Sequence, residues 1–188
     1  MSKYLVAAYA THGPYEKESE RLLASLRKIK DLHYQLDYVA SVGTWVRNTN
    51  IKPRFIRCAI KQNAAPVLYV DADAEVMRDP TEYVEGLIQR CDVAACHRGK
   101  ELLSGTLFFN YTPAALEILD DWVWESNTKP EVWDQKNLQA VIERKKDIKF
   151  EEMPTAYCYI NDGRLMAPVQ DPVILHHQAS RRLKNVNS

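Results

Sequence analysis

Hydrophobic positions along this chain switch between two periods, and the switching lays out its elements. Lys3 to Ala10 is a nearly continuous apolar run, the pattern of a strand buried on both faces. Glu16 to Ile29 then carries Leu22, Leu23, Leu26 and Ile29 at helical spacing. His33 to Ala40 returns to period two, with Tyr34, Leu36 and Tyr38 on one side. Pro53 opens a helix bearing Phe55, Ile56, Ala59 and Ile60, because proline suits a first helical turn. Pro66 opens a short buried strand, Val67 to Val70. Pro80 starts a helix with Tyr83, Val84, Leu87 and Ile88, and Pro113 starts one through Leu116, Leu119 and Val123. Val93 to Cys96 and Thr106 to Asn110 read as short strands between them. Trp133 to Arg144 is a helix with Leu138, Val141 and Ile142, and Ile148 to Met153, Ala156 to Ile160 and Val173 to His176 are late strands. Strands alternating with helices predict an α/β fold with a mostly parallel central sheet and helices on both faces. The shorter strands after residue 93 predict a mixed sheet in the second half. No repeat, linker or low-complexity tract interrupts the order, so residues 1–188 read as one domain.

Composition excludes several classes. Lys+Arg and Asp+Glu are both 25, so net charge is zero and nothing indicates an electrostatic nucleic-acid binder. A local basic patch at Arg181, Arg182 and Lys184 is the exception. No apolar stretch approaches the ~20 residues that span a bilayer, and Met1 to Ala10 lacks a signal-peptide layout. Cys58, Cys91, Cys96 and Cys158 show no C-x-x-C spacing, which argues against zinc or a redox pair and for reduced thiols. These features predict a soluble, cytoplasmic protein.

The candidate chemistry starts at Asp71-Ala72-Asp73, where the Val67 to Val70 strand ends. Residues i and i+2 of an extended segment point the same way, so both carboxylates can converge at the sheet edge where open α/β sheets bind ligands. Two such carboxylates suit Mg²⁺ or Mn²⁺. Three chemistries compete: a metal-diphosphate site, a haloacid-dehalogenase-type phosphatase with Asp71 as nucleophile, and an EF-hand. Glu75 stands where the phosphatase motif wants Thr or Val, and Val76 where the EF-hand requires Gly. His176-His177 follows the last strand, and one imidazole could join the carboxylates on a metal. Arg181 just beyond could pair with a diphosphate. Ser104-Gly105-Thr106 offers two hydroxyls and a close backbone approach to a sugar. Asp134 and Gln135 begin a helix, where Asp134 could be the N-cap, a sugar ligand or a general base. Trp122, Trp124 and Trp133 could include a sugar platform, although core packing competes for them. Lys52 or Arg54 could meet a phosphate, and the Thr11 to Tyr15 loop follows the first strand, where a nucleotide would lie. Glycine-rich dinucleotide and P-loop patterns are lacking.

In this order the segments resemble the nucleotide-diphospho-sugar glycosyltransferases of the Rossmann-like GT-A fold. The resemblance rests on Thr11/Tyr15, Lys52-Pro53-Arg54-Phe55-Ile56, Leu68 to Asp73, Ser104-Gly105-Thr106, Trp133-Asp134-Gln135 and His176. It is nearest to glycogenin-like and related retaining groups. Those groups follow the histidine with Gly and Lys-Pro-Trp, whereas this chain has Gln178-Ala179-Ser180-Arg181-Arg182. The resemblance implies a metal-dependent enzyme with a nucleotide-diphosphate sugar donor, UDP-linked by preference. It implies Mn²⁺ or Mg²⁺ on Asp71, Asp73 and His176, with Asp71 able to serve the ribose instead. Thr11, Tyr15, Lys52, Ser104, Gly105, Thr106 and Arg181 would line the donor, and Asp134 and Gln135 would orient the sugar or the acceptor. The acceptor is left open among a glycan, a lipid, a protein and a modified nucleic-acid base. Retention, in which the leaving phosphate takes the proton, is favoured over inversion by a base such as Asp134. A non-catalytic sugar-nucleotide-binding module is the remaining alternative.

Overall fold

The computed structural model describes residues 2–160 and 169–183. The chain begins β1 (Leu5–Thr11), α1 (Pro14–Leu26), β2 (Tyr34–Val39), α2 (Trp45–Thr49), α3 (Lys52–Asn63) and β3 (Val67–Val70). It continues through β4 (Ala74–Val76), α4 (Thr81–Arg90), β5 (Val93–Arg98), β6 (Glu101–Phe109), α5 (Pro113–Thr128) and α6 (Asp134–Arg144). It closes with β7 (Phe150–Glu152), a 3-10 turn (Thr155–Tyr157), β8 (Tyr159–Ile160), β9 (Ile174–His176) and α7 (Ala179–Leu183).

The main sheet has the order β2-β1-β3-β6-β5-β7. Its pairings are parallel except for those of β6, which runs against both β3 and β5. The sheet is therefore mostly parallel, with β6 reversed because a hairpin through Gly99 (φ 62°) delivers it from β5. Each buried strand feeds two cores. Tyr4, Val6 and Ala8 pack with Leu22 and Leu26 of α1 and with Val84 and Leu87 of α4. Leu5, Ala7 and Tyr9 pack with Phe55, Ile56 and Ile60 of α3, and that core extends to Trp122 and Leu138 of α5 and α6. This explains why β1 and β3 read as unbroken apolar runs.

Two features were not expected from sequence. First, β6 bulges. Ala95 pairs with Leu107 but Cys96 pairs with Leu103, so Ser104, Gly105 and Thr106 have no partner on β5. Second, β4, β9 and β8 form a separate small sheet in that order, with Ala74 opposite His176. The late strands are also shorter than predicted: part of the Ala156 to Ile160 segment is the 3-10 turn. The Trp45–Thr49 segment, which shows no clear periodicity in the sequence, forms the short helix α2.

Trp122 is fully buried, lies 6.1 Å from the Phe109 ring centroid, and donates its indole N–H to the Asp134 carbonyl at 2.9 Å. It thus fixes α6, and its first residues, on the sheet. Trp122→Ala is expected to cost about 3–5 kcal/mol in urea unfolding, and Trp122→Phe, which loses the hydrogen bond while keeping most packing, markedly less.

Candidate active site

A cavity of about 320 Å³ opens at the C-terminal ends of β1 and β3, large enough for part of a small-molecule ligand. Asp71 follows β3 directly. Its N–H donates to the Gly105 carbonyl at 2.8 Å, and its own carbonyl accepts from Ala74 at 3.0 Å. This tight turn aims both carboxylates into the cavity wall. Asp73 Oδ2 accepts the Ala179 N–H at 2.7 Å, and Oδ1 lies 3.8 Å from His176 Nδ1. One ligand atom each from Asp71, Asp73 and His176 lies within 4.8 Å of the others. His177 turns away and pairs with Glu75 at 3.1 Å. Two carboxylates and an imidazole are a donor set that fits a divalent cation such as Mn²⁺.

The surroundings of His176 support that fit. Its Nε2 is 2.8 Å from Thr106 Oγ1, which leaves Nδ1 facing Asp73. A Cβ on Gly105 would stand 2.9 Å from His176 Cε1, so glycine is required for the ring to lie where it does. Burial disfavours the imidazolium, but the Cys158 sulfur and the Asp73 carboxylate outweigh it and raise His176 to about 10, so a cation held there would have to displace that proton. Burial likewise opposes ionisation of Asp73, yet His176 and the Ala179 N–H hold its carboxyl below the usual range.

Beside this cluster, Lys52 is buried at 2% exposure. Its Nζ lies 3.0 Å from Asp71 Oδ1, 2.8 Å from Asp134 Oδ2 and 3.1 Å from the Ser104 carbonyl. Tyr69 adds a hydroxyl hydrogen bond to Asp71 at 2.8 Å, with Lys52 5.1 Å from its ring centroid. Burial alone would lower the Lys52 amine, but Asp134 and then Asp71 reverse that and keep it charged.

The sequence pattern of the nucleotide-diphospho-sugar transferase family matches residues 26–185. The chain belongs to the nucleotide-diphospho-sugar transferases. The transferase resembles the crystal structure of a glycosyltransferase involved in glycosylation of the major capsid of PBCV-1, at TM-score 0.72 and 12% identity, covering 97% of each chain. It also resembles the glycosyltransferase GlyE of Streptococcus pneumoniae TIGR4, at TM-score 0.64 and 16% identity, covering 94% of this chain and 55% of that one. The transferase thus spans about half of GlyE. A search of curated protein sequences returns no match. The family makes it a glycosyltransferase, and the neighbours share its GT-A-like fold. The phosphatase and EF-hand alternatives fall with this assignment. The EF-hand also fails locally, since the Asp71 to Asp73 turn joins two strands.

The other predicted residues of the transferase differ in where they lie. Thr11, Tyr15, Ser104, Gly105, Gln135 and Arg181 line the cavity. Lys52 and Asp134 also border it, but their charges are committed to each other. Asp134, expected as a possible N-cap, makes no capping bond. It is the first residue of α6, and its Oδ2 accepts from Lys52 and from Ser104 Oγ at 2.8 Å. A strong long-range ion pair has displaced the local cap. Thr106, expected to meet the sugar, is fully buried beneath His176, because the bulge turns it to the opposite face from Ser104. Of the tryptophans, Trp122 is core, Trp124 is 61% exposed, and Trp133 lines the cavity in an edge-to-face pair with Trp45 at 5.9 Å. Lys184, from the expected basic patch, lies outside the described residues. Sequence reasoning missed Arg98, Glu101, Trp45 and Tyr69; the last was legible, two positions before Asp71 on a strand and hence on its side.

Lys52→Met leaves Asp71 and Asp134 facing each other without a cation, and is expected to destabilise by about 3–5 kcal/mol in chemical unfolding. Gly105→Ala is expected to displace the His176 ring and cost about 1–3 kcal/mol, whereas Gly43→Ala, whose added Cβ would meet nothing within 4 Å, serves as a comparison for glycine replacement at a positive-φ surface turn.

Proposed function

We propose that this glycosyltransferase moves a sugar from a UDP-linked donor to an acceptor hydroxyl, with a divalent cation held by Asp71, Asp73 and His176. The convergence of those three side chains on one point of the cavity carries the reading. Mn²⁺ or Mg²⁺ bound there would supply the positive charge that stabilises the departing diphosphate. Arg181 borders the same cavity and would contact the diphosphate. Thr11 at the end of β1 and Tyr15 at the start of α1 would border the nucleoside. Lys52 holds the Asp71 and Asp134 carboxylates in place. Gln135 would face the transferred sugar.

The outcome we favour is retention. Asp134 is 3% exposed and paired with a buried ammonium, so it is a poor base for an acceptor hydroxyl. A leaving phosphate that takes the proton removes the need for one. Residues 1–188 are read as one transferase domain, and a glycan, lipid, protein or modified nucleic-acid base as the bearer of the acceptor hydroxyl. No helix among the described residues is long and apolar enough to cross a membrane. The four cysteines are free thiols, which supports a reducing, cytoplasmic setting.

Thermal-shift measurements with nucleotide sugars test this. At a hundred times Kd the donor contributes about 2.7 kcal/mol, roughly 5–10 °C for a chain of this size. The shift should require Mn²⁺ or Mg²⁺, disappear with EDTA, and be lost in Asp73→Asn along with sugar transfer or donor hydrolysis. A full shift in EDTA, or full activity in Asp73→Asn, overturns the metal assignment.

A further inference from the structure

Gln135 is held by an anion that the sequence did not single out. Its Nε2 donates to Glu101 Oε1 at 2.8 Å, and its Oε1 accepts the Ser104 N–H at 3.3 Å. Neither partner can exchange roles: an ionised carboxylate only accepts, and a backbone N–H only donates. The orientation of the amide is thereby dictated. Glu101 is itself fixed, since Oε2 accepts from Arg98 Nη2 at 2.7 Å. Arg98 and Glu101 face each other as a cross-strand pair where the β5–β6 hairpin turns through Gly99 and Lys100. Arg98, Glu101, Ser104 and Gln135 all border the donor cavity. The neighbouring Asp134 has its Oδ2 bound to Lys52 and Ser104, whereas the Gln135 amide, which can donate as well as accept, keeps capacity of both kinds for a ligand. One Nε2 proton and one Oε1 lone pair remain.

We propose that Glu101 is a positioning residue for sugar transfer, fixing the Gln135 amide so that a defined donor and acceptor meet the transferred sugar. This rests on the donor reading above. Arg98 completes the relay by holding Glu101 in reach of Gln135. Glu101→Gln is the informative variant. Arg98 and Gln135 address different oxygens of Glu101 and a glutamine carbonyl replaces only one of them, so one donor must face an NH₂ group. Shape and hydrophilicity stay almost unchanged.

The purified variant is titrated with UDP and with UDP-glucose, UDP-galactose and UDP-N-acetylglucosamine in Mn²⁺. UDP release is timed for the sugar that the wild type turns over. The proposal expects UDP affinity within about twofold of wild type, an unchanged melting temperature, and kcat reduced about 10- to 100-fold with little change in KM, on the scale of a lost hydrogen bond to a charged group. Glu101→Asp should fall between the two. Unchanged kcat overturns the proposal. So does parallel loss of kcat, UDP affinity and thermal stability, which marks a structural role only. Wild-type protein that fails to bind UDP with Mn²⁺ overturns the donor reading and this inference together. Independently of turnover, nitrogen-edited NMR should show the Gln135 side-chain amide shifted and less protected from exchange in Glu101→Gln. A resonance that does not move overturns the proposal.

Discussion

The site depends on one buried ammonium. Lys52 comes from the first turn of α3, yet its Nζ reaches the end of β3, the start of α6 and the β6 bulge. Burying a lone cation costs several kcal/mol, and only close opposite charges with good geometry offset that. Here two carboxylates, a carbonyl and a hydroxyl surround it. The constraint also runs the other way. Asp71 and Asp134 can stand near one another only because the ammonium lies between them.

The scaffold supplies the rigidity this arrangement needs. Strands buried on both faces tie the end of β3 into two cores at once. Trp122 then links the second core to the backbone of Asp134. The bulge in β6 divides labour among three consecutive residues. Ser104 turns to Asp134 and Lys52, Gly105 leaves room for the His176 ring, and Thr106 supports that ring from below. An unbroken strand would place Ser104 and Thr106 on the same side.

What could be read from sequence followed the range of the forces involved. The long helices and the buried strands β1 and β3 announce themselves through local periodicity. So does the pairing of Asp71 with Asp73. Choosing His176 over His177 needed the register of β9 against β4, which no local pattern encodes. The small sheet escaped notice because three-residue strands leave hardly any periodic signal. Thr106 was misplaced because its direction depends on a bulge set by pairing with β5. Asp134 looked like a cap because capping is the local rule, while its actual partner lies far earlier in the chain. Glu101 carries no motif at all; its role comes from a hairpin that faces a helix start.

His176 enters the site through β9, after every strand of the main sheet has been made. During synthesis, which proceeds from the N-terminus at about 5–20 residues per second, the two aspartates emerge long before the imidazole. Most of the sheet can therefore form on the ribosome while the cluster still lacks its nitrogen. Synthesis thus has a built-in order: a nascent chain can hold most of the main sheet and yet be unable to bring Asp71, Asp73 and His176 together until β9 has emerged.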